Sequence, residues 1–260
     1  MDFKIGAVLA MLVGGMVLLS LWYTPYDYNR MAPSERFIPP GWRHLMGTDN
    51  FGRDVFSRIM TGGKYTLLVS IGTVLGSVLI GASLGLISGY RGGFWDEAFM
   101  RFMDALSSFP GIVVALMLVS LRENKPSTLM LALLILFIPS YVRIMRSGIL
   151  EYKHRDFVKT AALMGASHRR IIFVHILPNL MHSLFSATVL GLSNAILAEA
   201  TMSYLGLGIQ PPIPSWGRML SESQNFLFNA PWCALAPGIM IMLTVIAFHF
   251  IGEGIRQRYP

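Results

Sequence analysis

Six stretches of this chain are nearly free of charge and close to the length a helix needs to cross a lipid bilayer. They are residues 5–23, 66–90, 99–121, 128–148, 183–205 and 233–252. A hydrocarbon core about 30 Å thick is crossed by about 20 apolar residues. Inside it the backbone must bond to itself, so each stretch reads as a helix. The third is the least uniform, because Arg101 and Asp104 sit near its start.

Composition agrees with spans rather than with buried core helices. Of 260 residues, 53% are hydrophobic and 13% charged, about half the charged share of a soluble domain. A net charge of +7 raises the question of nucleic acid, but a nucleic-acid binder displays its basic residues on a water-facing surface. Here many of them fall in short segments between apolar runs, as in loops beside membrane helices. The lone cysteine, Cys233, excludes an internal disulfide and reads as a packing residue. Residues 5–22 exceed the apolar core of a signal peptide and no A-x-A pattern follows, so the first stretch is expected to be retained.

Polar, Pro-rich connections at 24–65 and 206–232, with the short link at 122–127, fall on one side of an even number of spans. The termini, the 91–97 loop and a long basic segment fall on the other, with 12 Lys and Arg there against nine opposite. Arg143, Arg146, Lys153, Arg155, Lys159, Arg169 and Arg170 decide the orientation: that side is cytoplasmic and both termini lie inside. The chain is therefore expected to form one transmembrane domain over 1–260, with a core at 66–252. In the second stretch Gly72 and Gly76 share one helical face while Gly81, Gly85 and Gly89 share the opposite one, a pattern expected to pack against neighbours on both faces.

The segment at 151–179 is too charged to cross a membrane. Asp156 is placed to cap a helix through Met164 that ends at Gly165; Ser167 is placed to cap a second through Val174, which Pro178 should stop. The result is a cytoplasmic helix–turn–helix whose corner gathers Ala161, Ala162, Gly165 and Ala166. Such a corner suits insertion into a groove on another protein. A hairpin lying on the headgroups fits the residues as well.

The run from Lys159 to Asn179 (KTAALMGASHRRIIFVHILPN) resembles the coupling-loop motif of ABC importer permeases: Glu-Ala-Ala, three residues, Gly, nine residues, Ile-x-Leu-Pro. Lys159, Thr160 and His175 depart from that pattern. HLMGTDNFGRDVFSR at 44–58, GYRGGFWD at 89–96, MRFMD at 100–104, SFP at 108–110, EATMSYLGLG at 199–208, QPPIPSWG at 210–217 and LTVIAF at 243–248 are similar to the C-type subunits of the dipeptide, oligopeptide and nickel branch. The resemblance implies an all-α polytopic membrane protein of about six helices in the type I ABC importer arrangement, in the bacterial inner membrane. It also implies a second, B-type permease, one or two cytoplasmic ATPases that bind ATP and Mg, and an extracytoplasmic binding protein. Peptides are the implied cargo, with nickel or a metal chelate as the alternative within the branch.

The residues themselves add no catalytic site, cofactor or metal ligand to that expectation. The P-loop pattern G-x-x-x-x-G-K-[ST] does not occur, since Tyr65 follows Gly63-Lys64, so energy must come from a partner or an ion gradient. Glu199 lies deep in the fifth stretch, where a carboxylate is a candidate for the translocation pathway, with Asn194 and Tyr204 nearby. A packing contact between helices is the reading favoured for it. His168, His175 and His182 recur every seven residues but read as loop histidines. Asp49 and Asp54 are expected to order the outer loop by caps and ion pairs. Trp216 is expected to anchor that loop at the interface or to pack beneath the binding protein. A self-sufficient secondary transporter would require inverted repeats and ionisable chains through the bilayer, and only Glu199 lies deep in a span. An intramembrane enzyme would require a convergent nucleophile and base or a metal set such as H-E-x-x-H, and the sequence has neither.

Overall fold

The computed structural model describes residues 2–120 and 125–258. Its helices are α1 (Asp2–Leu19), α2 (Val55–Arg91), α3 (Gly93–Ser108), α4 (Gly111–Ser120), α5 (Pro126–Lys153), α6 (Asp156–Leu163), α7 (His168–Arg170), α8 (Leu177–Tyr204), α9 (Trp216–Ser223) and α10 (Trp232–Arg258), and a π-helical segment, Ile171–Ile176, joins α7 to α8. Among the described residues the only bridge between extended segments pairs Thr48 with Asp54. Residues 121–124, the end of the third expected stretch and the first half of the 122–127 link, lie outside the described residues.

Four helices are long and apolar enough to cross a membrane: α2, α5, the continuous His168–Tyr204 helix and α10. α3 and α4 are long and apolar enough only when taken together, and they are bent by 87° at the break between them, as in a broken span or a re-entrant loop. This corrects the expectation of a single helix over 99–121. Pro110 lacks an N–H and disfavours helix at the residue before it, and Phe109 is accordingly extended, with φ −80° and ψ 140°. α1 is shorter, and its 18 residues reach about 27 Å. α2 starts at Val55, not near 66, because the Asp54 carboxylate caps it, accepting from Ser57 N at 2.7 Å. With 37 residues it is about 55 Å long, so one end must stand clear of the hydrocarbon.

α2 and α5 run parallel in the most extensive pairing of the fold. Thr73 and Ser77 hydroxyls donate to the carbonyls of Met130 and Leu134 across it. Five of the seven glycines of α2, Gly72 to Gly89, serve this one partner. Gly72 meets Met130, Gly76 Leu134, Gly81 Tyr141 and Val142, Gly85 Val142 and Met145, and Gly89 Arg146 and Ile149. The expected packing on two opposite faces is thus corrected. α5 carries Pro139 in its interior.

The α8–α10, α1–α10 and α5–α8 pairs are antiparallel. Ser186 and Ser193 of α8 donate to the carbonyls of Gly252 and Val245 in α10. Phe3 packs on Gly254, and Leu180 on Gly148. These contacts bring both ends of the described chain and the 151–179 segment to one end of the bundle. The 24–65 and 206–232 connections gather at the other end, where Trp216 and Ile59 join Val17, Ile196 and Met240 in a buried cluster. Around the bundle Leu68, Leu75, Leu79, Leu131, Leu235, Ile239 and Met242 remain exposed, an apolar surface that lipid accepts and water does not.

Candidate functional site

The basic segment between α5 and α8 folds into a projecting knob. α6 ends in a Schellman turn: Gly165 takes φ +83°, its N–H bonds Ala162 O at 3.0 Å, and Ala166 N–H bonds Ala161 O at 3.0 Å. Glycine reaches that left-handed conformation without strain. Ser167 then caps α7 as expected, accepting from Arg170 N at 3.4 Å.

Two details of the expected hairpin change. Arg155, not Asp156, stands at the N-cap, with no side-chain hydrogen bond. Asp156 is the first helical residue, and its carboxylate pairs with Lys159 at 3.3 Å, where a negative charge still suits the helix N-terminus. Pro178 does not stop the second helix. The turn before it widens, with Leu177 N–H bonding Ile172 O five residues back. This one-turn widening gives the proline ring room, and the helix continues through α8.

The knob's corner is small, as expected: a side chain built at Gly165 would meet nothing within 4 Å. Beside it stand two large apolar side chains that the sequence reading passed over, Leu163 and Met164, 89% and 83% exposed. The apolar period of α6 assigns neither to a core face, and their exposure is the only signal that marks them. Beneath the tip, Val158, Ile171 and Ile176 are buried with Met145 and Ile149. Tyr90 Oη bonds His168 Nδ1 at 2.6 Å, and Lys153 Nζ donates to Tyr90 O at 2.9 Å. The knob is thereby fixed to the ends of α2, α5 and α8 at once, so a displacement of its tip is passed to all three.

The three pathway candidates separate. Glu199 is fully buried. Its Oε1 accepts from Ser203 Oγ at 2.7 Å, and Ser203 Oγ in turn accepts from Ile209 N at 3.2 Å. Glu199 is thus buried on α8 and is linked, through Ser203 one turn on in the same helix, to the backbone of the 206–232 connection. Asn194 lies on a different face of α8 and borders a cavity of about 490 Å³ between α4, α5 and α8, with Ile112, Leu133, Ser140 and Thr201 among its other walls. Tyr204, at the end of α8, is exposed and is not part of that wall.

The outer connection is held by buried charges. Asp49 accepts from Phe51 N and Arg53 N at 2.8 and 2.9 Å and from Arg53 Nε at 2.6 Å. Glu222 of α9 accepts from Arg53 at 3.3 Å, Arg58 at 3.0 Å and Arg218 at 3.3 Å. Asp54 caps α2 and meets His44 Nδ1 at 2.8 Å. Asp49 and Asp54 thus order the loop as expected, whereas Glu222 went unread because its partners Arg53 and Arg58 are remote in sequence. Trp216 is neither an interface anchor nor an exposed platform. It is buried, with Nε1 donating to Ile59 O at 2.9 Å.

A family model described as "Binding-protein-dependent transport system inner membrane component" matches residues 81–259. The dipeptide transport system permease protein DppC of Alkalihalophilus pseudofirmus is 37% identical over 98% of this chain and 84% of its own length. The glutathione transport system permease protein GsiD of Pectobacterium atrosepticum is 37% identical over 93% of this chain and 82% of its own. Among solved structures, an inward-facing MetNI methionine ABC transporter chain aligns with a TM-score of 0.64 at 16% identity, covering 76% of this chain and 94% of that one; this likeness concerns the fold alone.

Proposed function

Because the chain belongs to the family of binding-protein-dependent transport system inner membrane components, we propose that its knob is the element through which ATP hydrolysis on partner subunits moves its helices. The chain is a multi-pass permease subunit of an ABC importer. The observation that carries the coupling reading is the knob's construction. Gly165 and Ser167 shape an exposed corner, Leu163 and Met164 project beside it, and buried contacts tie it to three long helices. A groove on a cytoplasmic ATPase fits such a corner better than headgroups do, because Leu163 and Met164 stand at the tip, where a protein pocket can bury them. The exposed Lys159–Asp156 pair replaces the motif's Glu.

The partners in this reading are a second permease, ATPases that hold ATP and Mg, and an extracytoplasmic binding protein, with the knob and both termini on the cytoplasmic side. The cavity beside Asn194 opens on α4, α5 and α8 and forms this chain's share of the pathway, completed by the second permease. Relatives named for dipeptide and glutathione transport favour short peptides as cargo over metal chelates.

The test is purification of the tagged chain from its native membrane in mild detergent, followed by reconstitution. The expected result is recovery with a second permease and ATPase subunits, and peptide uptake that stops when the ATPases are removed. Uptake by the chain alone, driven by a gradient, would overturn the reading.

A further inference from the structure

α3 does not lie along the bundle. Asp96, near its start, is held by Arg146 through Nε at 2.7 Å and Nη2 at 2.5 Å and by the Ser88 hydroxyl. Ser107 and Asp104, near its end, are held by Arg143 at 2.5 and 3.0 Å. From Asp96 to Ser107 α3 advances about 16 Å, whereas Arg143 to Arg146 is less than one turn of α5, about 4.5 Å. A helix whose two ends meet one turn of its neighbour crosses that neighbour steeply. If α5 spans the bilayer, α3 runs nearly in its plane, at the depth where α2 ends, and the 87° bend into α4 returns the chain to the transmembrane direction.

The faces of α3 fit that placement. Asp96 and Met103 are buried against the bundle. Glu97, Arg101, Asp104 and Ser108 form a polar stripe, and Phe94, Ala98, Phe102 and Ala105, with Trp95 beside them, form an apolar one. Phe94 and Trp95 are 77% and 80% exposed, and Phe102 is also exposed. Arg91 and Arg101 are exposed and make no ion pair among the described residues.

We infer that α3 is an interfacial helix. Its Phe94, Trp95 and Phe102 face enters the headgroup–acyl boundary of the leaflet on the knob side, and Arg91 and Arg101 recruit anionic phospholipid. Aromatic side chains favour that depth, and an amphipathic helix with a polar stripe beside its apolar one lies on a membrane rather than crossing it. Anionic headgroups are the occupant that the two unpaired guanidiniums select. The inference rests on the orientation proposed above, but its test reads lipid contact and not transport, so the two can fail separately.

The assembled transporter is reconstituted in phosphatidylethanolamine–phosphatidylglycerol vesicles. Nitroxides are placed at Phe94→Cys, Phe102→Cys, Glu97→Cys and Ser108→Cys in a Cys233→Ala background. Labels at 94 and 102 should be open to oxygen and closed to a water-soluble nickel chelate, at a depth about 5–10 Å below the headgroups, with the reverse at 97 and 108. Labels at 94 and 102 that are open to the nickel chelate, or closed to both reagents because a protein partner covers them, would overturn the inference. A second measurement avoids new cysteines. Quenching of Trp95, isolated by subtracting the Trp95→Phe protein, should be stronger from brominated phosphatidylglycerol than from brominated phosphatidylcholine. The expected enrichment is about fivefold for each basic side chain near the surface, and it should be lost in Arg91→Gln/Arg101→Gln. Equal quenching by the two lipids in the unmutated protein would overturn the anionic preference.

Discussion

At Gly165 the backbone enters the left-handed region, φ +83°, and the lack of a side chain leaves the corner open. Both features predict what substitution does. Gly165→Val places a β-branched residue where even an unbranched one costs about 1–2 kcal/mol, and it fills the corner that would enter an ATPase groove. The expected outcome is a protein that inserts and assembles normally but whose ATP hydrolysis no longer drives uptake, measured as the ratio of the two rates in proteoliposomes. Gly165→Asn, which tolerates the same φ, separates strain from bulk. An unchanged ratio for the valine variant would mean that the knob does not couple. The corner itself was legible in sequence, because Gly165 and Ser167 are the residue types that a helix end and a helix start require. Glu199 was legible only as a choice. A carboxylate in an apolar run has few outlets, and its complete burial, with a bond to Ser203 one turn on in the same helix, is what the fold adds.

At the scale of elements, the α2–α5 pair depends on close backbone approach. A Cβ on Gly85 would lie 2.5 Å from Val142 O and 3.0 Å from Met145 Cβ, whereas Gly14 and Gly15 of α1 have nothing within 4 Å. Gly85→Val should therefore force the helices apart, at the order of 1–3 kcal/mol seen for overpacked cores, and lower the midpoint of thermal unfolding in detergent. Gly14→Val should leave that midpoint unchanged. Equal effects at the two positions would show that helix propensity, not packing, sets the cost. That these glycines pack was readable from their spacing. That they share one partner was not, because a helical wheel gives the faces of one helix and not which neighbour packs on them. The same limit hid the break at Phe109: a run of apolar residues reports solubility in lipid and says little about direction.

Across the whole molecule, Glu222 joins α9 to the outer connection through Arg53 and Arg58, both buried. Removing one member of a buried ion pair leaves charge without compensation and costs about 3–5 kcal/mol. Glu222→Gln should loosen the outer connection as a unit, seen as faster protease cleavage within residues 24–54 while the spans stay protected. Cleavage at the wild-type rate would show that the apolar cluster around Trp216 holds that region without the charges.

The sequence by itself determined the environment, the places of the four long apolar helices, and the place of the projecting knob. Each of these follows from local composition, from cap chemistry, or from motif spacing that lies within one segment. Only the tertiary structure decided that α3 turns across α5, that the five glycines from Gly72 to Gly89 meet one helix, that Trp216 is core, and that Glu199 is buried while Asn194 borders the cavity. Those outcomes depend on which remote side chain arrives to satisfy a buried charge, hydroxyl or indole, and that arrival is fixed by packing rather than by any local pattern.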